Sequence, residues 1–287
     1  MSLILHPTTV ELLAKAAKSP PHALLIVAPP GAGKEATARQ LIADVLGTTV
    51  AKLENAAAVL AVAPDKDKAF GIDSVRSVQH FMTLRSHSIG TDKVQRVVLL
   101  ADAQNMTREA QNALLKVLEE PPEGSMLILT AASEQALLST IVSRCQVLPL
   151  QKPGGELLSK ELSTLGYKPD AISLALRISD GWPGLAIAML NPDVEHPFTK
   201  ATEQARSLLQ QSTFERLATV DGLAKKRELC VDTCYILQQM AHLALLTAKP
   251  EAINRWQRVL TAAYKCQEAL QARVNAKLAM TQLMLSM

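Results

Sequence analysis

Residues 24–41, LLIVAPPGAGKEATARQL, have the layout of a loop that binds phosphate. An apolar run leads into a glycine-rich turn, a lysine and an alanine- and arginine-rich stretch that favours a helix. In such a loop, backbone N–H groups at the helix N-terminus surround the phosphate oxygens, and the lysine adds positive charge. Gly31, Gly33 and Lys34 keep this part of the G-x-x-x-x-G-K-[ST] pattern, so they are the candidate nucleotide-binding residues.

The same loop lacks the residue that should hold magnesium. Ala28 stands where the pattern has its first glycine, and Glu35 stands where it has a serine or threonine. That hydroxyl is a neutral magnesium ligand, whereas a carboxylate about 4 Å from a phosphate oxygen repels it by a few kcal/mol at an effective dielectric constant near 20. A glutamate is also favourable in the first turn of any helix. The loop is therefore predicted to be degenerate, with Glu35 stabilising the helix.

The elements that position this loop are predicted to form an α/β domain over the first 150 residues. Five short apolar runs without polar alternation indicate strands that are buried on both faces of a parallel sheet. They are ALLIVA (23–28), VLAVA (59–63), RVVLLA (96–101), MLILTA (126–131) and CQVLPL (145–150). Helix patterns lie between them. The clearest is Thr107–Glu119, which Thr107 can cap and which Pro121 and Pro122 prevent from continuing.

The rest of the chain is predicted to be helical. The segment QKPGG (151–155) ends the strand pattern, and residues 156–190 indicate two or three short helices. After a second linker, NPDVEHP (191–197), long amphipathic stretches lie near 202–217, 223–248 and 253–285.

Composition argues against several classes of function. A net charge of +3 and 3% aromatic residues give no basis for a nucleic-acid surface or a base-stacking platform. No segment approaches the roughly 18–20 unbroken apolar residues of a membrane span. Four cysteines fit a reduced, cytoplasmic setting. Cys230 and Cys234 share a helix face and resemble half of a metal site, but no second pair at ligand spacing accompanies them, which favours small buried residues and no metal.

Basic residues in one part of the first domain leave two interpretations. They could face template phosphate, or they could belong to a solvated helix face, which their mixture with acidic and apolar residues favours. The residues are Arg76, Arg85, Lys93 and Arg96.

Several motifs resemble those of clamp-loader subunits in the AAA+ ATPase family. They are PHALLIVAPPGAGK (21–34), FGIDSVRSV (70–78), NALLKVLEEPPEGSMLIL (112–129), SRC (143–145) and RVNAKLAMTQLML (273–285). The resemblance implies an AAA+ α/β domain over residues 1–152, a small helical lid over 153–194, and a helical collar that assembles subunits over 195–287.

The resemblance also implies where ATP chemistry should reside, and the matching positions lack it. Motor subunits of the family end one strand in Asp-Glu, which here is Ala101 followed by Asp102. Their phosphate-sensing residue after the fourth strand matches Ala132, and the arginine of their lid matches Leu185. Together with Glu35 these positions imply a subunit that does not hydrolyse ATP and needs no cofactor. Some relatives carry zinc-binding cysteines after the first helix, but residues 47–64 contain none.

In the same resemblance, SRC is an arginine-finger motif. Arg144 is thus implied to stabilise charge on ATP bound by a neighbouring subunit, because arginine stays protonated and offers a planar fork of donors to phosphate oxygens. The simpler alternative is a surface arginine in an ordinary ion pair. The implied partners are gamma/tau-type motor and delta subunits, with the sliding clamp and primed DNA reached through the complex, and no membrane. The rival functions are an ATP-hydrolysing AAA+ motor subunit and a helix-rich adaptor unrelated to replication.

Overall fold

The computed structural model describes residues 3–63, 70–83, 94–191, 197–247 and 249–287. The chain forms two compact units, Met1–Pro153 and Gly154–Met287. The first contains the sheet, and the second is helical throughout its described residues.

The first unit is built on one parallel sheet of five strands in the order β2-β3-β4-β1-β5. Its strands are β1 (Ala23–Val27), β2 (Val59–Val62), β3 (Arg96–Leu100), β4 (Ser125–Ala131) and β5 (Gln146–Pro149). Each lies within one residue of the predicted bounds at either end, so the predicted α/β fold is confirmed. All residues of β3 and β4 are buried, as continuous apolar runs require in a sheet covered on both faces.

Helices cover this sheet. They are α1 (Pro7–Lys18), α2 (Lys34–Val45), α3 (Val50–Leu53), α4 (Ile72–Thr83), α5 (Arg108–Glu119) and α6 (Ser139–Val142). Helix α5 begins as predicted, because the Thr107 hydroxyl accepts a hydrogen bond from the Ala110 N–H at 3.2 Å. Its apolar residues, such as Leu114, share a core with Val98 of β3 and Leu127 of β4. This packing fixes both ends of α5 relative to the sheet.

The second unit contains eight helices in its described residues. They are α7 (Gly155–Thr164), α8 (Pro169–Ile178), α9 (Pro183–Leu190), α10 (Pro197–Gln210), α11 (Thr213–Ala224), α12 (Arg227–Thr247), α13 (Pro250–Gln271) and α14 (Ala276–Ser286). Three short helices, α7 to α9, lie where two or three were predicted over residues 156–190.

Two of the three long predicted stretches were wrong in their continuity. The stretch near 202–217 is broken between α10 and α11, where Ser212 and Glu215 form a capping box that starts a new helix. The stretch near 253–285 is broken between α13 and α14, where Arg273 adopts a positive φ of 60° and Asn275 caps α14. Amphipathic periodicity continues across both breaks because the separated helices pack on the same core.

The predicted lid and collar share this core. Ile178, Leu185 and Ala188 of α8 and α9 belong to the same buried cluster as residues of α10 to α14. The division into lid and collar remains a prediction, and the second linker lies largely outside the described residues, at 192–196.

Within the described residues, one helix is long and apolar enough, by length and composition, to cross a membrane. This window, Arg227–Leu246, lies in α12. It contains Glu228 and Asp232, and it contributes Cys234 and Leu237 to the core of the second unit, which explains its apolar composition.

Candidate functional site

The phosphate-type loop lies at the carboxyl end of β1, where ligands of parallel α/β sheets bind. Gly31 and Gly33 have φ values of 79° and 86°, a region that glycine enters without strain. Gly33 is the N-cap of α2, and the turn is closed by a hydrogen bond from the Ala32 N–H to the Pro29 carbonyl at 3.3 Å. The backbone thus keeps a loop that ends at a helix N-terminus.

The side chain of Lys34, the first residue of α2, contacts polar groups of its own chain. Its Nζ lies 3.4 Å from the Pro29 carbonyl oxygen and 3.9 Å from Asp102 Oδ1, and its side chain is 10% exposed. Burial lowers the pKa of Lys34, while the Asp102 carboxylate opposes this shift. The structure therefore brings Gly31, Gly33, Lys34 and Asp102 together at one edge of the sheet.

Glu35 is held along the surface of α2. Its Oε1 accepts hydrogen bonds from Nε and Nη2 of Arg39, one turn later, at 2.9 and 2.8 Å. This bidentate pair at i,i+4 stabilises the helix and engages the carboxylate. The position of the magnesium hydroxyl is thus occupied by half of a helix-surface ion pair.

The ends of β3 and β4 are joined by a glutamine that the sequence did not single out. Gln104 donates from Nε2 to Asp102 Oδ1 at 3.1 Å and accepts at Oε1 from the Ala132 N–H at 3.3 Å. The Asp102 N–H also bonds to the Thr130 hydroxyl at 2.9 Å. This network ties together the residues that follow the ends of β3 and β4. No sequence signal marks Gln104, because its role depends on two strand ends meeting in space.

The other two ATP positions offer no polar side chain. Ala101 is buried at the end of β3, and Leu185 is fully buried in the core of the second unit. Leu185 therefore contributes to helix packing in the second unit.

Arg144 lies directly after α6 and before β5. Its Nη2 is 2.9 Å from Glu119 Oε1, and its Nη1 donates to the Thr140 carbonyl oxygen at 3.0 Å. Its side chain is 37% exposed. The simpler interpretation, an arginine in an ion pair, describes the contacts of this chain by itself.

The strand register places Arg144 far from its own phosphate-type loop. Leu24 of β1 is level with Gln146 of β5, so Arg144 is level with His22, before β1 begins. The loop starts at Ala28, directly after Val27, and Ala28 lies about 20 Å from the level of His22 along the strand direction at roughly 3.3 Å per residue. The two candidate sites therefore occupy opposite edges of one sheet.

Within the described residues, no group of three or more His, Cys, Asp or Glu side chains is arranged to hold a metal ion. Cys230, Cys234 and Cys266 are buried between helices, and burial raises the pKa of Cys230 to about 11. The absence of a metal remains a prediction.

Neither interpretation of the basic residues fits Arg96. It lies on β3 with 9% exposure, donates to the Met82 carbonyl oxygen and stacks over the Phe81 ring at 5.8 Å. Arg76 is exposed and pairs with Asp73. Arg85 and Lys93 lie outside the described residues.

A family model matches the part of the chain that carries the phosphate-type loop and Arg144. The family model described as DNA polymerase III, delta subunit, matches residues 5–154, just over half of the chain. DNA polymerase III subunit delta' of Escherichia coli is 33% identical over 191 residues, which span 60% of this chain and 55% of that subunit. The chain belongs to this delta-prime family.

The chain of this delta-prime family member is also similar to other replication proteins. The delta' subunit of Haemophilus influenzae is 35% identical over 130 residues, 45% of this chain and 38% of that protein. The replication factor C small subunit of Staphylothermus marinus is 30% identical over 234 residues, 78% of this chain and 61% of that protein. The aligned parts thus cover less than two thirds of these relatives. A DNA polymerase III gamma subunit-related protein of Thermotoga maritima shares the fold, with a TM-score of 0.60, 20% identity, and coverage of 96% of this chain and 97% of that one.

Proposed function

We propose that this chain is a non-catalytic, delta-prime-like subunit of a bacterial DNA polymerase III clamp loader. It acts as a scaffold in the complex that places the sliding clamp on primed DNA. Its partners are the motor (gamma/tau-type) and delta subunits, and it works in the cytoplasm. The family membership given by residues 5–154 supports this assignment.

One observation carries the non-catalytic part of the proposal: residues at or beside several positions that ATP hydrolysis requires bond to, or pack against, other parts of the same chain. Glu35 is paired with Arg39, Gln104 links Asp102 to Ala132, and Leu185 fills a core. A substitution that restored one of the residues needed for hydrolysis would leave the other positions without theirs. The rival motor function needs all of these groups at once.

Arg144 is the residue through which this subunit contributes to catalysis, in trans. A finger in its own pocket is ruled out by reach, because an extended arginine spans far less than the roughly 20 Å between the two edges of the sheet. The guanidinium is partly exposed and its ion pair with Glu119 is a surface one, so a phosphate of a neighbouring subunit can replace that partner.

The second unit supplies the assembly surface. Among its described residues, the large apolar side chains that face solvent are Leu165, Leu174, Phe214, Leu246, Tyr264, Val274, Leu278 and Leu285, of which Phe214 is 82% exposed. Apolar side chains that are exposed side by side on one surface usually mark an interface. We assign them to contacts with the corresponding helices of other loader subunits.

The decisive experiment is reconstitution of the loader from this chain and the motor and delta subunits of the same organism. The complex should form and load clamps onto primed DNA, and omission of this chain should abolish loading. An unrelated adaptor would neither co-purify with these subunits from native cells nor change loading when omitted.

A further inference from the structure

We propose that Glu119 is a positioning residue for Arg144, which holds the guanidinium in place before a phosphate of the neighbouring subunit binds it. This rests on the proposed function of Arg144 and adds a residue to it. Residues 138–144 contact the same helix, α5, at both of their ends: Leu138 bonds to Gln111, and Arg144 pairs with Glu119.

The first tie lies at the beginning of α6. Gln111 of α5 is 6% exposed, and its Oε1 accepts a hydrogen bond from the Leu138 N–H at 2.9 Å. Its Nε2 donates to the Met106 carbonyl oxygen at 3.3 Å, so both polar atoms of this buried amide are used. A buried, fully bonded amide is a rigid anchor. It sets where α6 starts relative to α5.

The second tie is the ion pair of Glu119 with Arg144. Glu119 is the last residue of α5, two turns beyond Gln111, and Arg144 follows the end of α6. The Thr140 carbonyl oxygen accepts from the other terminal nitrogen of the guanidinium, so the side chain is held between two acceptors. Since α5 packs on β3 and β4, the finger is positioned by the sheet through this helix.

Such a contact favours catalysis by lowering the entropy that Arg144 loses when phosphate binds. An arginine side chain loses rotamer entropy when it is fixed, and a side chain that is already ordered loses less of it on binding. Glu119 is 51% exposed, so the ion pair is a weak surface one, and a phosphate with greater charge can displace it. The pair is therefore strong enough to order the finger and weak enough to release it.

The test is DNA-stimulated ATP turnover of the reconstituted loader containing Glu119→Ala, Glu119→Gln, Arg144→Ala or the double variant. Glu119→Ala should lower kcat at the adjacent site about fivefold, the equivalent of ~1 kcal/mol, with little change in KM. Glu119→Gln keeps an acceptor for Arg144 and should lose less. In the Arg144→Ala background, Glu119→Ala should have no further effect, because Glu119 acts only through that arginine.

Glu120→Ala is the matched control, since Glu120 is the adjacent exposed glutamate and ends α5 with a backbone hydrogen bond to Lys116. It should leave turnover unchanged. Assembly and thermal stability of each variant are measured in parallel, and Glu119→Gln carries the test if the alanine variant does not assemble. Turnover in Glu119→Ala equal to or above the wild-type rate at equal assembly overturns the positioning role, as does an equal loss in the Arg144→Ala background. Unchanged turnover in Arg144→Ala alone overturns the finger itself.

Discussion

At the residue scale, polar side chains at both edges of the sheet in the first unit bond to their own chain. Lys34 and Asp102 face each other at the loop edge, and Gln104 joins Asp102 to the next strand. At the opposite edge, Arg144 has a partly exposed guanidinium and a weak partner. In the proposed function, Arg144 exchanges Glu119 for a phosphate of a neighbouring subunit.

The first prediction concerns that exchange. Arg144→Ala should lower ATP turnover at the adjacent motor site by about 10³- to 10⁵-fold, because a finger in trans stabilises charge on the transferring phosphate. Turnover of the whole loader should fall less, since its other sites stay intact. Arg144→Lys should rescue poorly because it keeps the charge but loses the fork. The measurement is DNA-stimulated hydrolysis by the reconstituted complex.

A control for this prediction is Arg108→Ala, which removes an exposed arginine at the start of α5. It should leave both assembly and turnover unchanged. If Arg144→Ala at equal assembly turns over ATP as fast as the control, Arg144 is an ordinary surface arginine paired with Glu119.

The second prediction concerns Leu185. Leu185→Arg restores the residue type of a motor subunit, but it places a charge in a fully buried position and should destabilise the second unit by at least about 3 kcal/mol. The thermal midpoint should fall by roughly 6–12 °C. Leu174→Arg makes the same change at a leucine that is 50% exposed on α8 and should shift the midpoint little. Similar midpoints for the two variants would show that Leu185 is not a core residue in solution.

At the element scale, the sequence predicted the strands better than the long helices. Strands buried on both faces, such as β3 and β4, need a continuous apolar run. The ends of that run in the sequence therefore indicate where each strand begins and ends. The break at Ser212 and the break at Arg273 are set by a capping box and by one positive φ, while the apolar periodicity continues past both. Periodicity alone therefore joined helices that the backbone separates.

The candidate site also has parts that the sequence could predict and parts that depend on the fold. Gly31, Gly33 and Lys34 form a local pattern, so the sequence predicted the loop and its missing hydroxyl. The contact of Glu119 with Arg144 joins residues 25 positions apart through the packing of α5 on the sheet and against α6. The role of Gln104 likewise depends on two strand ends that are distant in the chain. Neither could be predicted without the fold.

The third prediction concerns the two units as folding elements. A fragment ending at Pro153 should fold, since it contains the complete sheet and its own apolar core, but it should not join partner subunits. A cut near Asn191 is a poorer design, because Leu185 and Ala188 pack in the same cluster as the helices that it removes. The measurements are circular dichroism of the fragment and its incorporation into the loader, with the full chain as control. Incorporation equal to that of the full chain would contradict assembly through the second unit.

At the scale of the whole molecule, the proposed function assigns the scaffold role and the contribution to catalysis to different parts of one chain. The loop edge of the sheet keeps a turn that ends at a helix N-terminus, and Arg144 lies at the opposite edge. The helical unit presents exposed apolar residues. We therefore expect this chain to affect ATP hydrolysis only after it has joined the complex.

The last prediction follows from this dependence. The isolated chain should show no magnesium-dependent ATP turnover, because the hydroxyl, the magnesium aspartate and the phosphate-sensing residues are all absent. Glu35→Thr restores only the hydroxyl and should remain inactive, since Ala101 and Ala132 still offer no polar side chain. Phosphate release is measured for both proteins beside the motor subunit as a positive control. Turnover of about 1 s⁻¹, at the low end of typical enzyme rates, that disappears in Lys34→Ala would establish the chain as a motor. Turnover that survives Lys34→Ala would instead identify a contaminating ATPase. Lys34 stands at the lysine position of the phosphate-loop pattern, so turnover by this loop should depend on it.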